Sequence, residues 1–173
     1  TERVLKMNLK KKWNKSYGCE QLIKKEESSL ELLEFDLLRL KAGAKQTYDT
    51  GEQEFALVIL GGSCTVEGDG FVYKNIGKRK DVFAGPATSV YIPRRKRFTV
   101  IGIDEVSIAV VKSPSDLDTP PVLVSPEDVI VKTLGKPGWR RDSHFIIDER
   151  IQAKHLFIGE AYVHPGNWAS YPP

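Results

Sequence analysis

Short apolar runs divided by turn residues make up most of this chain. Phe55-Ala56-Leu57-Val58-Ile59-Leu60 stops at Gly61-Gly62. Cys64-Thr65-Val66 runs into Gly68-Asp69-Gly70, a hairpin signal, and Phe71-Val72-Tyr73 leaves it. Ser89-Val90-Tyr91-Ile92 ends at Pro93, Phe98-Thr99-Val100-Ile101 resumes after a basic turn, and Val106 to Val111 forms the next run. Many short β-rich segments at this spacing predict a sandwich or small barrel, not a helical or doubly wound fold.

Residues 30–40 read two ways. Leu30, Leu33, Leu37 and Leu40 recur at helical spacing among good helix formers. The alternation Leu33, Phe35, Leu37 also fits a strand, and tertiary context decides between the two. Residues 113–138 carry Pro114, Pro120, Pro121, Pro126 and Pro137 with Gly135 and Gly138. That composition predicts a connector along the barrel wall, crossed by a short strand around Val129-Ile130-Val131. A second β-rich block opens with Phe145-Ile146-Ile147 and continues through Leu156 to Val163. It has barely started when the chain reaches Pro172-Pro173, so a piece of a longer protein is expected. The resulting division is 1–112, 113–138 and 139–173.

Composition narrows the class. A hydrophobic fraction of 40% with 28% charged residues is that of a soluble globular protein. No run approaches the length of a membrane helix. The first fifteen residues carry Arg3, Lys6, Lys10, Lys11, Lys12 and Lys15 without the apolar block of a signal peptide. Cys19 and Cys64 have no metal-ligand spacing, and a reduced, cytoplasmic protein is expected. The net charge of +3 invites a nucleic-acid reading. The basic residues are nevertheless confined to short clusters at Lys10–Lys12, Lys78–Lys80, Arg94–Arg97 and Arg140–Arg141, without the long stripe and interleaved aromatics of a nucleic-acid groove. The first two clusters read as solvated loop tips, and Arg94, Arg95 and Arg97 as residues that keep a hairpin tip or edge strand soluble. One or two of the remaining arginines suit a small anion.

Two short motifs resemble those of cupin barrels. Glu54, six residues and then Gly61 match the second half of the first motif, but its histidine positions are held by other residues, with Gly51-Glu52-Gln53 immediately upstream. Gly85 and Pro93 stand where the second motif needs them, and its histidine falls near Phe98. The first barrel thus resembles a cupin without its metal site. Glu54 reads as a residue capping a strand or paired with lysine in preference to a ligand.

Further on, Gly166-Asn167-Trp168-Ala169-Ser170-Tyr171-Pro172-Pro173 resembles the lead-in to the second-barrel motif of the 5-deoxyglucuronate isomerases. Gly138 to Ile147, Asn75-Ile76-Gly77 and Ser89 to Pro93 resemble other blocks of that family. The resemblance implies an all-β cupin fold (double-stranded β-helix, or jelly roll), the first barrel of a two-barrel protein with the start of the second, and a strand over residues 30–40. It implies aldose–ketose isomerisation of a small sugar acid, 5-deoxyglucuronate to 5-dehydro-2-deoxygluconate. A divalent metal, zinc or manganese, belongs to the intact family protein, and none is expected on this chain, which lacks the ligating triad. Homo-oligomers through the barrels are also implied. The alternative is a non-catalytic cupin module for small-acid binding or assembly.

The substrate-binding candidates are Arg141, His144 and Tyr171. The related keto-deoxyuronate isomerases carry an arginine in the context of Arg141, and a guanidinium suits a carboxylate; an ion pair to Asp142 or Asp148 is its other reading. His144 is either a pocket residue or a hydrogen-bonded structural histidine. Trp168 and Tyr171 are candidates for an apolar sugar wall or for buried aromatics with a polar tip. His155 and His164 lack a partner at ligand spacing.

Overall fold

The computed structural model describes residues 11–25 and 28–171. Arg3, Lys6, Lys10, Pro172 and Pro173, which entered the sequence reading, lie outside the described residues. Among the described residues there is no α-helix, and no helix is long and apolar enough to cross a membrane.

Thirteen strands follow in order: β1 (Gly18–Ile23), β2 (Glu34–Leu40), β3 (Lys45–Asp49), β4 (Gln53–Gly61), β5 (Ser63–Gly68), β6 (Phe71–Gly77), β7 (Ser89–Ile92), β8 (Arg97–Gly102), β9 (Val106–Pro114), β10 (Val122–Val124), β11 (Ile130–Leu134), β12 (Arg141–Ile147) and β13 (Ile158–Val163). One six-stranded sheet runs β1-β2-β9-β4-β7-β10, and a four-stranded sheet runs β3-β8-β5-β6. The strands β2-β9-β4-β7 against β3-β8-β5-β6 form two interleaved antiparallel quartets. This is the jelly-roll order of cupin barrels, and the expected all-β fold is borne out. A separate three-stranded sheet, β11-β12-β13, lies against the outside of the barrel.

Two cores follow from the alternation of side chains along the six-stranded sheet. On β4, Phe55, Leu57 and Ile59 face the barrel interior with Leu38, Leu40, Val66, Phe98 and Val100. Ala56 and Val58 face outward, where Tyr91, Ile146, Ile147 and Leu156 cover them. A strand buried on both faces reads as a continuous apolar run, as Phe55–Leu60 does. The same arrangement resolves residues 30–40. On β2, Leu38 and Leu40 enter the barrel, while Leu33, Phe35 and Leu37 pack against the outer core. Because both faces are apolar, leucines recur at even spacings such as Leu33/Leu37, which a helix and a strand share. Seven register pairs with β9, Glu34↔Lys112 to Leu40↔Val106, fix the strand. The turn between β4 and β5 depends on Gly62, with φ +85°, where a Cβ would fall 2.1 Å from the Glu105 carbonyl oxygen.

The segment read as a connector carries two strands. β10 pairs with β7 and lengthens the barrel's sheet, and β11 pairs with β12. The short strand expected around Val129–Val131 therefore belongs to the third sheet, which begins at Ile130.

The third sheet is tied to its connector by Asp148. Its carboxylate accepts from Arg150 Nε at 2.7 Å and Nη2 at 2.9 Å, and Arg150 Nη1 reaches the Asp128 carbonyl at 2.7 Å. The side-chain hydrogen bond from Arg150 is the chief cause holding the Asp148 carboxyl below its ordinary value. A carboxyl depressed in the folded state contributes stability above its unfolded pKa of about 3.9 and loses it as pH falls below that value. Asp148→Asn is therefore expected to flatten the acid limb of a Tm-against-pH profile while leaving its slope above about pH 6 unchanged.

Candidate functional site

The barrel interior is occupied where a cupin would hold metal. Phe98 is buried, stacks on Tyr48 with ring centroids 5.2 Å apart, and meets Phe55 edge-on at 5.8 Å. Glu54 stands on the opposite face of β4 from Phe55 and points out of the barrel. It is 0% exposed. Its carboxylate accepts from the Tyr91 hydroxyl at 2.9 Å and from three successive backbone amides: Lys154 at 2.7 Å, His155 at 2.7 Å and Leu156 at 3.0 Å. Neither a strand cap nor a lysine partner describes it. Glu54 instead fastens the segment before β13 to the barrel wall. Burial pushes the Tyr91 hydroxyl up to about 12, so it remains a donor to that carboxylate.

A second polar cluster joins the barrel to the third sheet. The side chain of Arg79 is only 4% exposed. Its Nε donates to the Ile59 carbonyl at 2.9 Å and Nη1 to the Gly85 carbonyl at 3.1 Å. Nη1 and Nη2 clasp the two oxygens of Glu160 at 2.9 and 2.6 Å. The Tyr162 hydroxyl donates to the Val82 carbonyl and lies 3.0 Å from Glu160 Oε2. His144 packs on the Tyr162 ring at 4.3 Å between centroids, and its Nδ1 is buried without a hydrogen-bond partner. Sequence reasoning placed Lys78–Lys80 among solvated tips. Lys78 and Lys80 are exposed, but Arg79 between them is buried. Similarly, Arg94 is committed: its guanidinium pairs with Asp118 at 2.7 Å and Glu52 at 2.9 Å. Arg95 also pairs with Glu52, at 2.8 Å, so these arginines clamp the loop to its neighbours as well as solvating it.

Two of the three sequence-derived site residues, Arg141 and His144, are not brought together. Arg141 and His144 are three positions apart on β12, so alternation sends them to opposite faces. His144 lies opposite Glu160 in register and on the barrel side, and Arg141 lies opposite Val163 on the other face. The ion pairs foreseen for Arg141 are made by others. Asp148 binds Arg150, while Asp142 binds the Thr133 hydroxyl at 2.6 Å and His164 at 3.0 Å. Those two partners, Thr133 first, hold the Asp142 carboxyl below its usual value. Arg141 Nη1 is buried with no hydrogen-bond partner. Tyr171 is 75% exposed and meets Trp139 edge-on at 5.7 Å, and Trp168 is also exposed; its amide donates to the Gly138 carbonyl at 2.8 Å. Neither aromatic is a buried barrel residue.

Among the described residues no group of three or more His, Cys, Asp or Glu side chains is placed to hold a metal. Glu54, the one match to a cupin ligand, has both carboxylate oxygens engaged by the protein. The described residues therefore offer no donor set that fits a divalent ion. Cys19 and Cys64 are both free, and burial pushes the Cys64 thiol up to about 12.

Similarity to known proteins agrees with this architecture. The family model described as the KduI/IolB family matches residues 8–173. A 5-deoxy-glucuronate isomerase of Bacillus licheniformis is 34% identical over 153 residues, covering 87% of this chain and 56% of that protein. The protein of the same name in Bacillus subtilis (strain 168) is 34% identical over 148 residues, 84% of this chain and 55% of that one. The crystal structure of an IolB-like protein from Salmonella typhimurium LT2 superposes with a TM-score of 0.86 at 30% identity, covering 92% of this chain and 61% of that chain. The chain thus spans about half the length of the curated relatives it matches.

Proposed function

Because the chain belongs to the KduI/IolB family, we propose that it is the non-catalytic half of a sugar-acid isomerase that converts 5-deoxyglucuronate to 5-dehydro-2-deoxygluconate. The observation that carries the reading is the family match from residue 8 to residue 173, supported by the names of the curated relatives. The assignment of this half as scaffold is supported by an interior filled with Phe98, Tyr48 and Phe55, and by the lack of a metal-ligand set among the described residues. The zinc or manganese implied by the family resemblance finds no ligand set among the described residues, so no step is assigned to it.

Within the segment, Arg141 is the residue suited to a substrate carboxylate. It stands on the face of β12 turned away from the barrel, with one buried N–H group unused by the protein. A guanidinium holds a carboxylate through two parallel hydrogen bonds, and a lysine offers only a point charge. A charged hydrogen bond of about 1.5–3 kcal/mol corresponds to a roughly 10- to 100-fold change in rate. In a longer polypeptide that carries the remainder of the family's length, Arg141→Ala is expected to lower kcat/KM by about that factor, Arg141→Lys to recover only part of it, and neither to shift Tm.

The decisive assay is isomerase turnover with added zinc or manganese, measured on this chain and on the longer polypeptide. Turnover by the longer polypeptide alone is expected. Turnover by residues 1–173 alone would refute the scaffold assignment, and none in either protein would refute the isomerase reading.

A further inference from the structure

The third sheet leaves one strand edge open. β13 pairs with β12 on one side and stands last in the order β11-β12-β13, so among the described residues the backbone N–H and C=O groups on its other side have no strand to bond. Natural sheets guard such edges with shortness, lysine, proline or a bulge. The other edge strands are guarded in this way. β10 has three residues, β3, β6 and β11 carry Lys45, Lys74 and Lys132, and β1 is broken by a register shift between Gln21 and Ile23. β13 has six residues with neither lysine nor proline, and its one acid, Glu160, is turned to the barrel and clasped by Arg79.

A cleft of about 520 Å³ runs beside that edge. Residues 160–165 line it consecutively, which brings in side chains of both strand faces and so places the cleft along the edge itself. Val82 and Phe83 complete its largely apolar wall. Phe83 is 83% exposed, yet the loop that presents it is held fast. Its amide donates to Asp81 Oδ1 at 2.9 Å, the Ala84 amide donates to the Asp81 carbonyl at 3.1 Å, and the Val82 carbonyl accepts from the Tyr162 hydroxyl. A preorganised, exposed aromatic beside unpaired backbone is the combination that strand addition uses: main-chain bonds hold the guest, and a pocket takes one of its side chains. The guest is more than a short peptide. The sheet also carries exposed Ile130 and Val163 on the face turned away from the barrel, and an apolar sheet face needs a second layer to cover it.

We propose that the free edge of β13 takes an extended strand from the part of the same polypeptide that lies beyond residue 173, with Phe83 packed against that strand. The proposal rests on reading the chain as one half of a longer family protein, since it spans about half the length of its curated relatives. A segment tethered to β13 reaches the edge at an effective concentration in the millimolar range, which a second copy of the chain does not.

The test uses the longer polypeptide, without substrate or metal. An antiparallel edge strand is bonded through alternate residues only, so a free edge leaves every second amide of β13 fast in hydrogen exchange. All the amides from Ile158 to Val163 are instead expected to exchange at least about 100-fold more slowly than in an unstructured chain. Phe83→Ser should speed the edge-facing amides by about tenfold or more and leave those bonded to β12 little changed. Phe83→benzoylphenylalanine, in a mixture of isotopically light and heavy protein, is expected on irradiation to cross-link within one polypeptide to a residue beyond 173. Alternating fast and slow amides, or cross-links confined to residues 1–173 or formed only between copies, would each overturn the proposal. The amide pattern of the unaltered polypeptide decides it should a variant fail to fold. Neither readout depends on turnover, so an open edge would leave the isomerase reading standing, and an inactive protein with a paired edge would leave the strand addition standing.

Discussion

Glu54→Ala is expected to destabilise the protein by about 3–5 kcal/mol, the range for breaking a buried, fully hydrogen-bonded charge. Four donors converge on this carboxylate: the Tyr91 hydroxyl and the amides of Lys154, His155 and Leu156. Three consecutive backbone N–H groups around one anion form a concave nest whose dipoles add. Alanine leaves these donors facing the outer core without an acceptor, and each buried unpaired group costs about 1–3 kcal/mol. Glu54→Gln keeps the shape but turns one acceptor into an NH2 group that faces other donors, so it should recover little. At about 2–4 °C per kcal/mol for a chain of this size, Tm should fall by roughly 6–20 °C. Limited proteolysis should cut between Asp148 and Phe157 before the barrel itself. A loss below about 1 kcal/mol, the range of an ordinary surface change, would mean that water replaces the carboxylate and that the latch is not structural.

The same residue marks how far the sequence could be read. The apolar runs gave the strands, since a period of two and the turns at Gly61-Gly62 and Gly68-Asp69-Gly70 are local signals. Phe98 in place of a histidine was equally readable, and its ring lies in the barrel interior as that position requires. The direction of Glu54 was not. A one-residue change of face on β4 separates the barrel interior from the outer wall, and only the pairing with β9 and β7 decides it. The separation of Arg141 from His144 was legible in principle, because an odd spacing on a strand always divides two side chains between its faces. Arg79 had no such signal. Its partner Glu160 is 81 residues away, and its lysine neighbours on both sides disguise a buried guanidinium as part of an exposed cluster.

Arg79→Met is expected to cost about 3–5 kcal/mol, and the loss should depend on Glu160. The arginine links three pieces of backbone and side chain: the Ile59 carbonyl at the end of β4, the Gly85 carbonyl in the loop before β7, and both oxygens of Glu160 on β13. Methionine fills the volume but abandons all of these acceptors, and Glu160 keeps only the Tyr162 hydroxyl. Lysine retains the charge without the fork, so Arg79→Lys should recover less than half of the loss. The informative comparison is a double-mutant cycle in urea. If the pair acts as a buried unit, Arg79→Met with Glu160→Met should be closer to the unaltered protein than Arg79→Met alone, with a coupling of about 1–3 kcal/mol. The coupling should change little with salt, because a pair with 4% and 18% side-chain exposure is poorly screened. Strictly additive losses would mean that the stabilisation comes from the two carbonyls, with Glu160 a bystander. A large coupling makes the Arg79–Glu160 pair, along with the Glu54 latch, the means by which the third sheet is held in place against the barrel.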